Sequence, residues 1–323
     1  MQQPEILHIA LRRCYTVSVA LLVAGCIPSS QSPAGISSQS VSHHFDYQMV
    51  DASNTPISVH NLPEEILQAD VILVGEWHGH AGIHRFQADL YQQLVENNQR
   101  VSLSMEQFTR DKQTVVNAYL QGEVGEQFLI DQGDAWPDYT RDYRALVELA
   151  KNNQQPVIAA NAPNHIVRCV GRLGPEYLET LNDTERGWVA QRLDLSDNPY
   201  KSLFMASMHH GPVKTTQDHY AAQLTWDETM AESIVLHLKQ NPRQQVMHIA
   251  GDFHINEGLA IGRIITRLDP GLDIVTISPS SKDITGSDYT VKVLSPPPRY
   301  IQEHHRVAAY HSVGKVAKVP ACL

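Results

Sequence analysis

The sequence predicts an α/β protein with a mostly parallel central sheet flanked by helices and a helical lobe inserted in the middle of the chain. Three observations lead there. Short apolar runs alternate with amphipathic stretches of helical period, as in crossovers that lay helices on both faces of parallel strands. Several runs stop abruptly at Gly or Glu, as in DVILVGE (70–76) and VSLSME (101–106). Between about 107 and 240 helical spacing dominates and a single run reads as a strand.

Taken in order, 70–76 is a compact buried strand. Residues 82–97 follow with Ile83, Phe86, Leu90, Leu94 and Val95 on one helical stripe. VSLSME (101–106) is the second strand, and 110–121 is helical. DYRALVELAKNN (142–153) is an amphipathic helix and QPVIAAN (155–161) the third strand. Residues 163–174 open on Pro and close on Gly, the usual punctuation of a helix. A long helix spans 215–240. QQVMHIAG (244–251) is a strand, with a helix from about Asn256, and DIVTISP (273–279) and YTVKVLS (289–295) complete the sheet. Pro296–Pro298 break the chain, and 299–323 reads as an irregular basic tail.

The N-terminus reads as a processing segment. Arg12 and Arg13 precede an apolar run too short to span a bilayer, which ends Val-Ala-Gly-Cys at Cys26. That ending resembles a bacterial lipobox, so 1–25 is expected to be a signal peptide and Cys26 the lipidated residue. Ile27, in place of Asp, favours the Gram-negative outer membrane, with the protein facing the periplasm. The Ser-, Pro- and Gln-rich stretch 26–44 is expected to be a flexible tether, and 45–298 the folded domain. Cys169 and Cys322 are the cysteines left to the folded chain; a disulfide between them suits an oxidising periplasm.

The 323 residues carry a formal charge of −10, which excludes the basic footprint of a nucleic-acid binder. Chemistry concentrates in two Gly-x-x-His segments, GEWH (75–78) and GDFH (251–254), each directly after a strand. In open α/β sheets ligands bind beyond the carboxyl ends of strands. Glu76, His78, Glu106, Asp252 and His254 are therefore expected to share one crevice, able to bind a metal or to move protons. His84, in the first turn of the following helix, is expected to face the same crevice, and Arg85 to meet a carboxylate. His80, His209, His210, His219, His304 and His305 read as solvent-exposed. Tyr139, Tyr143 and Tyr220 lie in aromatic segments that read either as core or as a flat apolar cofactor site.

The segments LVGEWHGHAGIHRFQADL, SMEQF, DYRALVELA, QPVIAANAP, WDETMAESI and HIAGDFHINEGLAIGR follow one another in that order. Together they resemble the ChaN family of iron-regulated lipoproteins, in the haem-binding-uptake and Tiki superfamily, over about 65–295. The resemblance implies an α/β core with a helical lobe, haem binding and iron acquisition. It also implies homodimers that hold haem at the subunit interface through a tyrosine, with Tyr139, Tyr143 and Tyr220 in matching segments and His84 and Arg85 beside the crevice. An outer-membrane haem receptor is the expected partner. The wider superfamily includes metal-dependent hydrolases, which gives the alternative. In that reading Glu76, His78, Glu106 and His254 are catalytic, and His78, His254 and Glu76 hold a divalent metal. Haem binding is the favoured reading over an enzyme. Phe253 stands where the family often carries a small residue, which implies a narrower crevice.

Overall fold

The computed structural model describes residues 41–98, 100–207, 212–316 and Cys322. The expected signal peptide, Cys26, most of the expected tether, and His209 and His210 lie outside the described residues.

Eight strands form one sheet: β1 (Gln48–Asp51), β2 (Pro56–Ile57), β3 (Val71–Glu76), β4 (Val101–Thr109), β5 (Val157–Asn161), β6 (Gln245–Gly251), β7 (Ile274–Ser280) and β8 (Tyr289–Lys292). Their spatial order is β2-β1-β8-β7-β3-β6-β4-β5. From β8 to β5 every pairing is parallel, whereas β1 pairs antiparallel with both β8 and β2. The fold class is the one the sequence predicts. The antiparallel edge was not legible, because QMVD and PI are too short to show a period.

The helices are α1 (Glu64–Gln68), α2 (Ala81–Asn97), α3 (Gln113–Leu120), α4 (Glu126–Gln132), α5 (Arg144–Asn152), α6 (Asn164–Leu173), α7 (Asp183–Arg186), α8 (Pro199–Ser207), α9 (Val213–Gln240), α10 (Asp252–Ile255), α11 (Ile261–Leu268) and α12 (Glu303–Val316). Two expectations need correction. The helix expected from Asn256 starts at Ile261, because Glu257 takes φ 56° and breaks helical geometry between the short turn α10 and α11. The stretch 299–323, expected to be irregular, contains α12. No helix among the described residues is long and apolar enough to cross a membrane.

β3 shows why both sheet faces are covered. Ile72 and Val74 pack into a cluster with Phe86 and Leu90 of α2 and Leu146 of α5. Val71 and Leu73, on the alternate face, pack with Leu224 and Ile234 of α9 and Ile264 of α11. A strand buried on both faces needs an unbroken apolar run, and VILV supplies it. Successive strands β3 and β6 thus send their helices to opposite faces, which opens a crevice at their carboxyl ends. A third cluster packs α6 against α9 through Ile166, Val170 and Ala221, building the lobe. A disulfide joins Cys169 of α6 to Cys322, with Cα atoms 5.5 Å apart.

Candidate functional site

Glu76 and Gly251 are paired neighbours at the ends of β3 and β6. The two motif glycines are needed for close approach. A Cβ on Gly75 would run into the Asp252 carboxylate, and one on Gly251 would stand 3.0 Å from His78 Nε2. The register therefore folds both Gly-x-x-His segments against each other, as the sequence predicts.

The floor is built around Glu76, which is 2% exposed. One carboxylate oxygen accepts from Tyr143 OH at 2.6 Å, from Gln107 Nε2 at 3.3 Å and from His78 Nδ1 at 2.7 Å; the other accepts from Gln87 Nε2 at 2.8 Å. Burial alone would push Glu76 up, but His78, the nearby His84, Tyr143 and Gln87 outweigh it and hold the carboxyl below its ordinary range. In return the hydrogen bond to Glu76 raises the His78 imidazole above its ordinary value, against the opposing effect of burial. The His78 ring is half exposed and meets Trp136 edge-on at 5.1 Å.

A second cluster lies across Gly251. Glu106 accepts the Gly251 N–H at 2.7 Å and lies 3.7 Å from His254 Nε2. His254 Nδ1 donates to Asp227 of α9 at 2.5 Å, and Asp227 also accepts from Tyr200 OH at 2.7 Å. Burial pulls the imidazole down, yet the Asp227 and Glu106 carboxylates overrule it and lift His254 to about 9. His254 is thus a buried imidazolium at neutral pH. Burial pushes the neighbouring Asp252 carboxyl up to about 6.

Above these clusters opens a cavity of about 980 Å³, within the range that encloses most of a drug-sized ligand. One wall is aromatic: Phe253 meets Tyr200 at 5.5 Å and Phe204 at 6.2 Å. Trp77, Leu259 and Pro296 add apolar surface, and Arg299 also lines the cavity. Phe253 is 41% exposed and forms part of the wall.

Of the expected residues, Glu76, His78, Asp252 and His254 line this cavity, and Glu106 bonds the Gly251 N–H beside it. His84 does not line it. Its ring is buried beneath the floor, where Nε2 accepts the Gly79 N–H and Nδ1 meets Gln87. Arg85 meets a carboxylate, Asp89 at 3.6 Å, but on the outer surface of α2. Tyr139, Tyr143 and Tyr220 are each 1% exposed and belong to the packed core. A π-turn over Tyr139–Tyr143 directs Tyr143 to Glu76, while Tyr139 packs on Phe108. His80 is buried rather than solvent-exposed, bonded through Nε2 to the Leu294 carbonyl at 2.9 Å. His219, His304 and His305 are exposed, as expected.

The metal trio His78, His254 and Glu76 does not converge. Both Glu76 oxygens are occupied by protein donors, and no group of three or more His, Cys, Asp or Glu among the described residues could hold a metal ion. The sequence reading missed Tyr200, Phe204, Gln87 and Asp227. Asp227 had a signal: Tyr220, Gln223 and Asp227 fall on one face of a predicted helix at spacings of three and four.

A family profile for haem-binding uptake proteins of the Tiki superfamily, described as ChaN, matches residues 62–265. The chain belongs to this family. Among solved structures, ChaN of Campylobacter jejuni, described by its cofacial haem binding, is 20% identical with a TM-score of 0.60, over 77% of this chain and 98% of that one. An erythromycin esterase in its open conformation is 12% identical with a TM-score of 0.41, over 75% of this chain and 81% of that one. The type III effector HopBA1 is 11% identical with a TM-score of 0.41, over 70% and 88%. No curated protein matches the chain.

The cavity suits the family's ligand class. A porphyrin is a flat apolar plate with two carboxylates and a metal that seeks nitrogen or oxygen donors. The cavity offers an aromatic wall, and an arginine and imidazoles among its lining groups.

Proposed function

We propose that this ChaN-family protein is an outer-membrane lipoprotein that binds haem in the cavity above β3 and β6 and serves haem or iron acquisition. The observation that carries the reading is the cavity of about 980 Å³ at the sheet's carboxyl edge, walled by Tyr200, Phe204 and Phe253. Family membership supports haem as the ligand. The lipobox at Cys26 and Ile27 support anchoring to the outer membrane, facing the periplasm. Bound haem would supply an iron centre; the chain would supply the apolar enclosure, with the Arg299 guanidinium among the lining groups for its carboxylates.

A homodimer is part of the proposal. Phe253 and Leu203 are 41% and 45% exposed at the cavity. A haem lying on such a surface would leave an apolar patch, which a second copy covers by symmetry. An outer-membrane haem receptor is the proposed delivery partner.

The site's electrostatics favour haem binding over a metal-dependent hydrolase. A general base or metal ligand needs a free ring nitrogen, and both nitrogens of His254 already face carboxylates, Asp227 at Nδ1 and Glu106 at Nε2. The test is a hemin titration followed by visible absorption and sedimentation. Saturable binding that weakens in Phe253→Asp, with hemin-dependent self-association, supports the reading. Weak, non-saturating uptake refutes it.

A further inference from the structure

We infer that the Cys169–Cys322 disulfide is a redox latch. Closed, it holds in place the cavity wall formed by Pro296, Pro297 and Arg299; opened by a dithiol, it frees that wall and, where haem is bound, speeds its release. The latch stands on the fold, and the ligand it retains rests on the haem reading above.

The wall is fixed to the sheet at one end only. After β8, the Val293 N–H donates to the Ser280 carbonyl at 2.9 Å, and the Leu294 carbonyl meets His80 Nε2 at 2.9 Å. Beyond Leu294 this anchoring stops. Residues 295–308 are all exposed, and among the described residues their hydrogen bonds and ion pairs run only among themselves, as from Arg306 to Glu303. Ile301 and Val307, which a packed segment would bury, are 84% and 42% exposed. Yet Pro296, Pro297 and Arg299 line the cavity.

The second fixed point is covalent. Cys322 is bonded to Cys169 of α6. α6 packs on α9 through Ile166, Val170 and Ala221, and α9 carries Gln223, another lining residue of the same cavity. The bridge therefore ties the wall to the lobe that supplies a different part of the lining. A segment pinned at both ends keeps a high effective concentration at its seat, and one pinned at a single end loses that advantage. The whole device lies past residue 265, where the family profile ends.

The two sulfurs differ in access. Cys169 is 1% exposed, whereas Cys322 is partly exposed. A dithiol reductant therefore attacks at Cys322: its thiolate bonds to that Sγ, and the Cys169 thiolate leaves and takes up a proton. The reductant's second thiol then displaces Cys322, which takes up the other proton. One disulfide is lost here and one forms on the reductant, with two electrons and two protons passing to the cysteines. Exposed bridges are the labile ones in such exchange.

The test uses the full chain in detergent. Dithiothreitol is added under native conditions, and alkylation with mass spectrometry reads the thiol state of Cys169 and Cys322. Trypsin reads the wall, at the bonds after Arg299 and Arg306. The expected result is an opened bridge in a folded protein, with cleavage after those two arginines faster by at least about tenfold than in the oxidised protein. Cys322→Ser should be cleaved as fast with no reductant present. Hemin-loaded wild type and Cys322→Ser are then compared without any thiol, and the variant should pass hemin to apomyoglobin several-fold faster. Equal cleavage of oxidised and reduced protein overturns the proposal, as does equal hemin loss or a bridge that dithiothreitol leaves closed. Faster cleavage at sites throughout the chain also overturns it, because the bridge would then brace the whole fold. Should wild type take up no hemin, the haem reading fails, and cleavage after Arg299 and Arg306 alone decides the latch.

Discussion

Replacing Asp227 by Asn should destabilise the protein strongly at mildly acidic pH and much less in alkali. Asp227 accepts from His254 Nδ1 and from Tyr200 at the buried edge of α9. With Glu106 it lifts His254 from 6.5 to about 9, against burial. Stabilising the charged imidazole by that much corresponds to about 3 kcal/mol. Asp227 is the closer carboxylate, so most of it should vanish in the variant while Glu106 retains a share. The sign follows from linkage. A group whose folded value is raised contributes fully below its unfolded value, near 6.5, and loses that contribution as pH rises through about 9. Urea unfolding of wild type and Asp227→Asn should therefore differ by about 2–3 kcal/mol near pH 6 and by under about 1 kcal/mol near pH 10. An equal difference at both pH values would refute the assignment of His254 as a buried imidazolium.

Three further predictions follow from the same geometry. Gly251→Ala keeps an ordinary φ of −51° but sets a methyl 3.0 Å from His78 Nε2, so it should lower stability by about 1–3 kcal/mol in urea unfolding. Buried His248 is pulled down to about 3, chiefly by burial and then by the His254 charge, so it opposes folding as pH falls from 6.5 toward 3; His248→Leu should flatten that acid limb in a pH series of thermal melts. Breaking the Cys169–Cys322 bridge by Cys169→Ser should lower stability by about 2–4 kcal/mol in denaturant titrations under non-reducing conditions.

The parallel sheet and its site were legible in the sequence for one reason. A strand buried on both faces must be apolar throughout, and it must stop where the chain turns into the crevice. VILVGE and QVMHIAG carry both signals, which places Glu76, His78 and His254 at or just past strand ends; Glu106, expected to end its strand, lies inside β4, which runs on to Thr109. Partner identities were not legible. That Glu76 takes its donors from Tyr143 and Gln87, or that His254 is paired with Asp227, depends on how α2, the π-turn before α5, and α9 cross the strand ends, and no local period encodes a crossing. The aromatic segments misled for a related reason. A buried tyrosine and a ligand-facing tyrosine have the same spacing along a helix, and the π-turn at Tyr139–Tyr143 turned these inward. Tyr200, in a helix of weak pattern, became the cavity wall instead.

The central claim is tested most directly by locating iron in crystals of the protein grown with hemin, using anomalous scattering. The account predicts a single strong iron peak per chain inside the cavity bounded by His78, Phe253 and Tyr200. Iron bound elsewhere on the molecule, with that cavity filled only by solvent, would contradict it.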